Sequence, residues 1–190
     1  TTVRLPSFVV PAGMTAGEAL KKEAEEGLRK VFHIKNLKKN VHRISNEYKN
    51  RLEYELDVIS KLNFSQYFLT MKAIADKANQ CQLTGPGRGS GAGSLVAYAL
   101  GITQVDPIVY DLQFERFLRI DATDYPDIDY DVSSPMELKD VLIEEWGEDK
   151  VAPISNWNTL QLKSLIKDIS KFYDIPFKEV NEVTGKMMYE

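Results

Sequence analysis

Between residues 85 and 94 the chain reads Gly-Pro-Gly-Arg-Gly-Ser-Gly-Ala-Gly-Ser, with five glycines in the first nine positions. No other stretch constrains the fold as much. Alternate glycines break helix and strand alike, so regular elements must end before this segment and resume after it. They also permit positive φ and close approach of the backbone to a ligand. A short apolar helix is expected to start near Ser90 to Ser94, run to Leu100 and close at Gly101. Its free N–H groups and positive dipole end would face an anion. Arg88 adds a forked cation and Ser90 a hydroxyl donor. This is the composition of a triphosphate cradle, with a mobile linker or a tight turn as the structural alternative.

Two familiar phosphate loops fit poorly. The Walker A pattern ends in Gly-Lys-Ser/Thr, and this loop holds no lysine. The dinucleotide fingerprint is met loosely by Gly87-x-Gly89-x-x-Ala92, with Asp106 at the spacing of its acid. That fingerprint should follow an apolar strand, and Asn79 to Thr84 makes a poor one.

The second motif is Asp127-Ile-Asp129-Tyr-Asp131. Its alternation with apolar residues predicts a strand over Asp127 to Val132, with the acids on one face and Ile128, Tyr130 and Val132 on the other. Clustered carboxylates are costly unless a cation neutralises them. Two Mg²⁺ ions bridged by such acids, with a substrate phosphate between them, suit in-line phosphoryl transfer. A calcium loop would need Gly at its sixth position and Glu at its twelfth, where this chain has Val132 and Leu138. A solvated acidic edge strand is the remaining alternative. Glycine loop and acidic strand together point to nucleotidyl transfer.

Composition excludes several other classes. The single Cys81 rules out an internal disulfide framework and suits a reducing cytosol. With only His33 and His42 beside it, no zinc site is expected. No apolar run approaches the roughly 20 residues of a membrane helix, and no signal peptide opens the chain. The absence of a starting methionine suggests a piece of a longer protein. The net charge of −4 counts against a simple nucleic-acid-binding module. The balance is uneven, though: residues 29–43 carry Arg29, Lys30, Lys35, Lys38, Lys39 and Arg43 without an acid, and 121–149 is acidic. The basic stretch reads as a solvated loop or as a phosphate-backbone contact.

Most of the remaining pattern is helical. Thr15-Ala-Gly-Glu18 forms a capping box before a stripe of Leu20, Ala24, Leu28 and Phe32, ending near His33. A second helix spans about 47–62, with Tyr48, Leu52, Leu56 and Ile59 inward and Glu53, Asp57 and Lys61 outward. Residues 64–71 fit a strand or a helix start, and 72–80 a helix. Residues 111–118 read as an amphipathic helix. Ser134-Pro-Met-Glu137 is a helix start, with Leu138, Val141, Leu142 and Trp146 following and Gly147 as the stop. Val151 to Ile154 is a strand candidate, and helices are expected over 159–173 and 177–188.

At the two motifs the sequence resembles the alpha subunit of bacterial DNA polymerase III, the C-family replicative polymerases. The likeness is carried by Gly85 to Thr103, Asp106-Pro107, Phe114-Glu-Arg-Phe-Leu118 and Pro126-Asp-Ile-Asp-Tyr-Asp131. Arg51-Leu-Glu-Tyr-Glu-Leu and Tyr67-Phe-Leu also fit, as do Thr159, Lys163, Lys167 and Asp168, so it extends over roughly residues 44–185. Arg119 to Tyr125 departs from the family's usual linker, and Val132 stands where Phe is common, a divergence of the kind a phage or prophage copy carries.

The resemblance implies an α/β (α+β) fold: a polymerase-beta-like nucleotidyltransferase palm with a small mixed sheet and flanking helices. Residues 1–62 would be a helical thumb-like or palm-flanking segment, 63–150 the palm core, and 151–190 the helical start of the fingers. It implies that Arg88, Gly89 and Ser90 bind the nucleotide phosphates. Asp127 and Asp129 become the catalytic metal ligands, for two Mg²⁺ ions in the complete enzyme. A primer 3′-hydroxyl then attacks the α-phosphate of a dNTP and pyrophosphate leaves. The implied partners are primed DNA template, dNTP and other holoenzyme subunits, in the cytoplasm and without a membrane. The family's third catalytic aspartate lies beyond Glu190, so the isolated chain is expected to be inactive. A non-catalytic nucleotide- or DNA-binding remnant is the alternative, and a nucleotidyltransferase acting on small molecules a third.

Overall fold

The computed structural model describes residues 10–36, 45–155, 159 and 161–187. The expected capping box forms. Thr15 N and Oγ1 donate to Glu18 Oε2 at 2.7 and 2.9 Å, and Glu18 N donates to Thr15 Oγ1 at 3.3 Å. Those two bonds hold the Glu18 carboxyl below the ordinary carboxylate range. The helix they start, α1, spans Ala16–Asn36 and so outruns the stop expected near His33. Arg29 and Lys30 of the basic stretch lie exposed on it. Lys38, Lys39 and Arg43 fall outside the described residues.

Helix α2 spans Asn46–Lys61 and stops as Asn63 turns to φ 60°. Helix α3 spans Ser65–Cys81. The aromatic run 64–71 is therefore the first half of one long helix, because Phe68 and Leu69 both turn into the core. After the glycine loop comes α4, Leu95–Ala99. It is short but central, and every residue from Leu95 to Leu100 is at most 5% exposed. Helices α1 and α2 pack on it, and α1 also packs on α3. Leu20, Ala24, Leu28, Leu52, Ile59, Phe68, Phe114 and Phe117 complete this core. Helix α5, Pro135–Trp146, is capped by Ser134, has Pro135 at its start and ends at Gly147, as the sequence predicts. It packs on α3 through a smaller cluster of Ala78, Leu138 and Leu142.

The crossing of α1 over α4 depends on one glycine. A Cβ on Gly27 would lie 1.9 Å from the Ala99 carbonyl oxygen. Backbone cannot yield there without moving a helix. Gly27→Ala will therefore destabilise the chain by about 2 kcal/mol net. Overpacking of up to about 3 kcal/mol is offset by about 1 kcal/mol of helix propensity. A lower urea midpoint with unchanged slope is the measurement, and an unaltered midpoint would rule out the close crossing.

The expected mixed sheet is absent. Among the described residues there are no strands, and extended pairing is limited to one isolated antiparallel bridge, Thr84 to Val132. Asp127 to Val132 does run with its apolar residues inward, since Ile128, Tyr130 and Val132 all pack on the cores. It lacks a neighbour long enough to make a ladder. Among the described residues its opposite segment is the start of the glycine loop, where Pro86 has no N–H and Gly87 adopts φ 106°, ending the pairing after Gly85. The fold around the site is thus helices joined by structured loops rather than a sheet-based palm. Two smaller expectations also change. Residues 111–118 form a 3-10 turn at Phe114–Arg116, and 151–155 is irregular.

Contacts divide the chain into two units, Thr1–Ala152 and Pro153–Glu190. The second pairs helices α6, Leu162–Phe172, and α7, Phe177–Gly185, which pack on each other. Among the described residues no helix is long and apolar enough to cross a membrane.

Candidate nucleotide and metal site

The glycine loop and the acidic segment lie side by side. Gly85 N donates to the Asp131 carbonyl at 2.8 Å, and Ser133 N to the Leu83 carbonyl at 3.1 Å. Beyond that, the Gln82 side chain takes over the role of a strand. Its Nε2 donates to the Ser134 carbonyl at 3.1 Å, while its Oε1 accepts from Ser134 N at 2.7 Å and Ser133 Oγ at 3.1 Å. Helix α3 anchors the other end of the acidic segment. Tyr67 Oη donates to the Pro126 carbonyl at 2.6 Å, and Tyr130 Oη to the Ala75 carbonyl at 3.3 Å. Burial pushes the Tyr67 hydroxyl pKa up, and the nearby charge of Asp127 pushes it further.

This register brings Arg88 and Gly89 onto Asp129 and Asp131. Gly89 has φ 66° and ψ −161°, a conformation open to glycine alone. An added Cβ there would lie 2.3 Å from Asp129 Oδ2. Arg88 Nε donates to both carboxylate oxygens of Asp131 at 2.9 and 3.0 Å, and its Nη1 stands 3.1 Å from Asp129 Oδ1. These partners hold the guanidinium pKa above its usual value, the Asp131 bond contributing most. Asp127 is exposed two residues before Asp129. Among the described residues no cluster of three His, Cys, Asp or Glu side chains could hold a metal unaided. The available donors are hard carboxylate oxygens, and they suit a Mg²⁺ that keeps waters and takes further oxygens from substrate phosphates.

Ser90 faces elsewhere. It lines a cleft of about 490 Å³ with Gly89, Gly93, Asp111, Leu112, Gln113 and Arg116. Arg116 and Ser90 are both exposed, and Arg116 is the cation among the residues lining the cleft, beside the acid Asp111. Arg116 is not among the site residues expected from the sequence; its signal there is its place in Phe114-Glu-Arg-Phe-Leu118, one of the segments that carry the family resemblance.

One expectation about the loop is overturned. The N-terminus of α4 does not face a ligand, because a protein carboxylate occupies it. Glu55 Oε1 accepts from Leu95 N and Oε2 from Val96 N, both at 2.9 Å, and Ser94 Oγ donates to Oε2 at 2.9 Å. Ala97 N donates to Ser94 Oγ at 3.0 Å. Glu55 has no exposed surface and is paired with Arg51 Nε at 2.7 Å. Burial pushes its carboxyl pKa up, against the pull of the Leu95 and Val96 N–H groups and Arg51. The sequence signal was an acid on the inward side of α2, between Leu52 and Ile59. An anion bound at the glycine loop must therefore use loop amides and arginines.

Comparison with known proteins decides the family. The sequence model described as the bacterial DNA polymerase III alpha NTPase domain matches residues 18–190. The chain belongs to the bacterial DNA polymerase III alpha family. A DNA polymerase III subunit alpha of Borreliella burgdorferi is 42% identical over 186 residues, covering 95% of this chain and 15% of the relative. The Bacillus subtilis subunit is 40% identical over 185 residues, 95% of this chain and 16% of its own length. The Escherichia coli O157:H7 subunit is also 40% identical, over 194 residues, 96% of this chain and 16% of the relative. The chain thus spans about one-sixth of the length of these DNA polymerase III alpha relatives.

Proposed function

We propose that this chain carries the nucleotide-phosphate and metal-binding part of a DNA-directed DNA polymerase. The observation that carries this reading is the approach of Gly89 to Asp129, so close that a single methyl group would collide with the carboxylate. A loop suited to phosphates thereby lies against an acid suited to a metal ion. Incoming dNTP and primed DNA are the substrates, and residues 63–150 and 151–190 correspond to the palm core and the start of the fingers. The other holoenzyme subunits are the partners, in the cytoplasm.

In this reading Asp127 and Asp129 hold Mg²⁺, which when bound supplies Lewis-acid stabilisation of charge on the reacting phosphate. Ser90 and the loop amides donate to the triphosphate, with Arg116 lining the same cleft. Arg88 exchanges its carboxylates for phosphate oxygens. Its side chain is 60% exposed, so the pairs with Asp129 and Asp131 are screened by solvent and readily exchanged. The primer 3′-hydroxyl attacks the α-phosphate and pyrophosphate leaves. The protein's share is orientation and charge stabilisation rather than covalent chemistry. In this reading the 190 residues alone do not extend a primer, because Asp127 and Asp129 supply two of the three carboxylates that the family resemblance implies.

Titration with Mn²⁺ tests the metal assignment. NMR signals of residues around Asp127 and Asp129 will broaden selectively, and Asp127→Asn with Asp129→Asn will remove the effect. Equal broadening in the double variant would end this reading. Primer extension by the 190-residue chain alone would end the statement that it is inactive.

A further inference from the structure

The cleft has two walls, and both are tied to α2. One wall is the end of the glycine loop, carrying Ser90 and Gly93; the other is the segment from Asp111 to Arg116. Arg51 Nη2 donates to the Gly93 carbonyl at 2.9 Å and to the Leu112 carbonyl at 3.0 Å, one bond to each wall. Its Nε is fixed by Glu55, which in turn holds Ser94, Leu95 and Val96. In the same turn of α2, Tyr54 Oη donates to Glu115 Oε1 at 2.7 Å, and its ring stands edge-on to Phe114 at 6.0 Å. The walls touch directly as well, since a Cβ on Gly93 would lie 2.8 Å from the Gln113 carbonyl oxygen.

We infer that Arg51, oriented by the buried Glu55, is a positioning residue for the nucleotide, setting the gap between Ser90 and Arg116. The inference rests on the reading of this cleft as the triphosphate site. Neither Arg51 nor Glu55 lines the cleft, so both act through the walls. The role depends on a guanidinium. Its fixed fork serves a carboxylate and two carbonyls at once, whereas a lysine ammonium lacks that planar geometry. Misplacement of binding groups by an ångström is enough to lose most of their benefit.

The test is a titration of the 190-residue chain with Mg²⁺·dATP, following the NMR signals of Ser90, Gly91 and Arg116 at a temperature where each variant is folded. Arg51→Lys removes the fork. Gly93→Ala disturbs the same gap from the other side and leaves Arg51 intact. Arg116→Ala removes a direct contact and serves as the control for the site itself. All three will weaken Kd by about tenfold while their spectra stay dispersed. A purely structural role for Arg51 would lower the melting temperature and leave Kd of the folded protein unchanged. If Arg116→Ala weakens binding while Arg51→Lys and Gly93→Ala bind like the parent chain, the positioning role is overturned and the nucleotide reading stands. If the parent chain does not bind Mg²⁺·dATP, or Arg116→Ala binds equally well, both fall together.

Discussion

Replacing Glu55 with alanine will destabilise the helical core by about 3–5 kcal/mol, the cost of removing one partner from a buried ion pair. Three consequences coincide. Leu95 N and Val96 N are left without acceptors inside a fully buried helix, at about 1–3 kcal/mol for each such group. Ser94 Oγ loses its acceptor while still capping Ala97. Arg51 keeps its charge, with its side chain only 23% exposed, and loses the carboxylate that balances it. These costs share one cavity and do not add in full. Glu55→Gln preserves the shape but puts an amide N–H₂ where a second acceptor oxygen stood, and will cost about 1–3 kcal/mol. Urea unfolding followed by circular dichroism separates the cases. A loss under about 1 kcal/mol for Glu55→Ala would mean that the α4 amides do not depend on this carboxylate.

The largest effect on activity is expected at Asp129. On the proposed reading, Asp129→Asn in a DNA polymerase III alpha subunit carrying this sequence will lower the rate of primer extension by about a thousandfold, comparable to deleting a principal charge-stabilising group. Asp131→Asn will lower it by less than about tenfold, because Asp131 serves Arg88 and that pair is exposed to solvent. The two residues are alike in type and lie two positions apart, so unequal losses separate metal ligation from simple acidity. Folding does not confuse the comparison, since both side chains are well exposed and neither change should alter stability by more than about 0.5 kcal/mol. Equal losses at both positions would place the metal on all three acids and leave Arg88 to be displaced entirely.

Much of the local structure was legible because it is set by near neighbours. The Thr15–Glu18 box, the Ser134–Pro135 start and the Gly147 stop are each decided within a few residues. The alternation in Asp127 to Val132 correctly gave which side chains face inward. It could not give a strand, because a strand is defined by its neighbour, and among the described residues that neighbour is a glycine loop that leaves the pairing at Pro86. The helix after the glycine loop was read as an open anion site for a similar reason. Its dipole and amides are local facts, but their occupant sits forty residues earlier in the chain, at Glu55. The site residues Arg88, Gly89 and Asp129 were chosen from two separate motifs, and the fold does bring them into contact. Arg51 and Arg116 fall in segments that carry the family resemblance, Arg51-Leu-Glu-Tyr-Glu-Leu and Phe114-Glu-Arg-Phe-Leu118, but those segments by themselves do not say that one arginine braces a cleft and the other lines it.

The Gln82 carboxamide, paired both ways with the Ser134 backbone, has a kinetic consequence. A ladder of strands opens cooperatively, so that releasing one bond exposes the next only when many yield together. A seam closed by one side chain and a few backbone bonds opens step by step. Local opening of the glycine loop away from the acids therefore needs fewer bonds to break together than a ladder would, while Ile128, Tyr130 and Val132 keep the acidic segment on the cores. An enzyme that must take in a new substrate, turn it over and release the remainder many times in succession is well served by a seam of that kind.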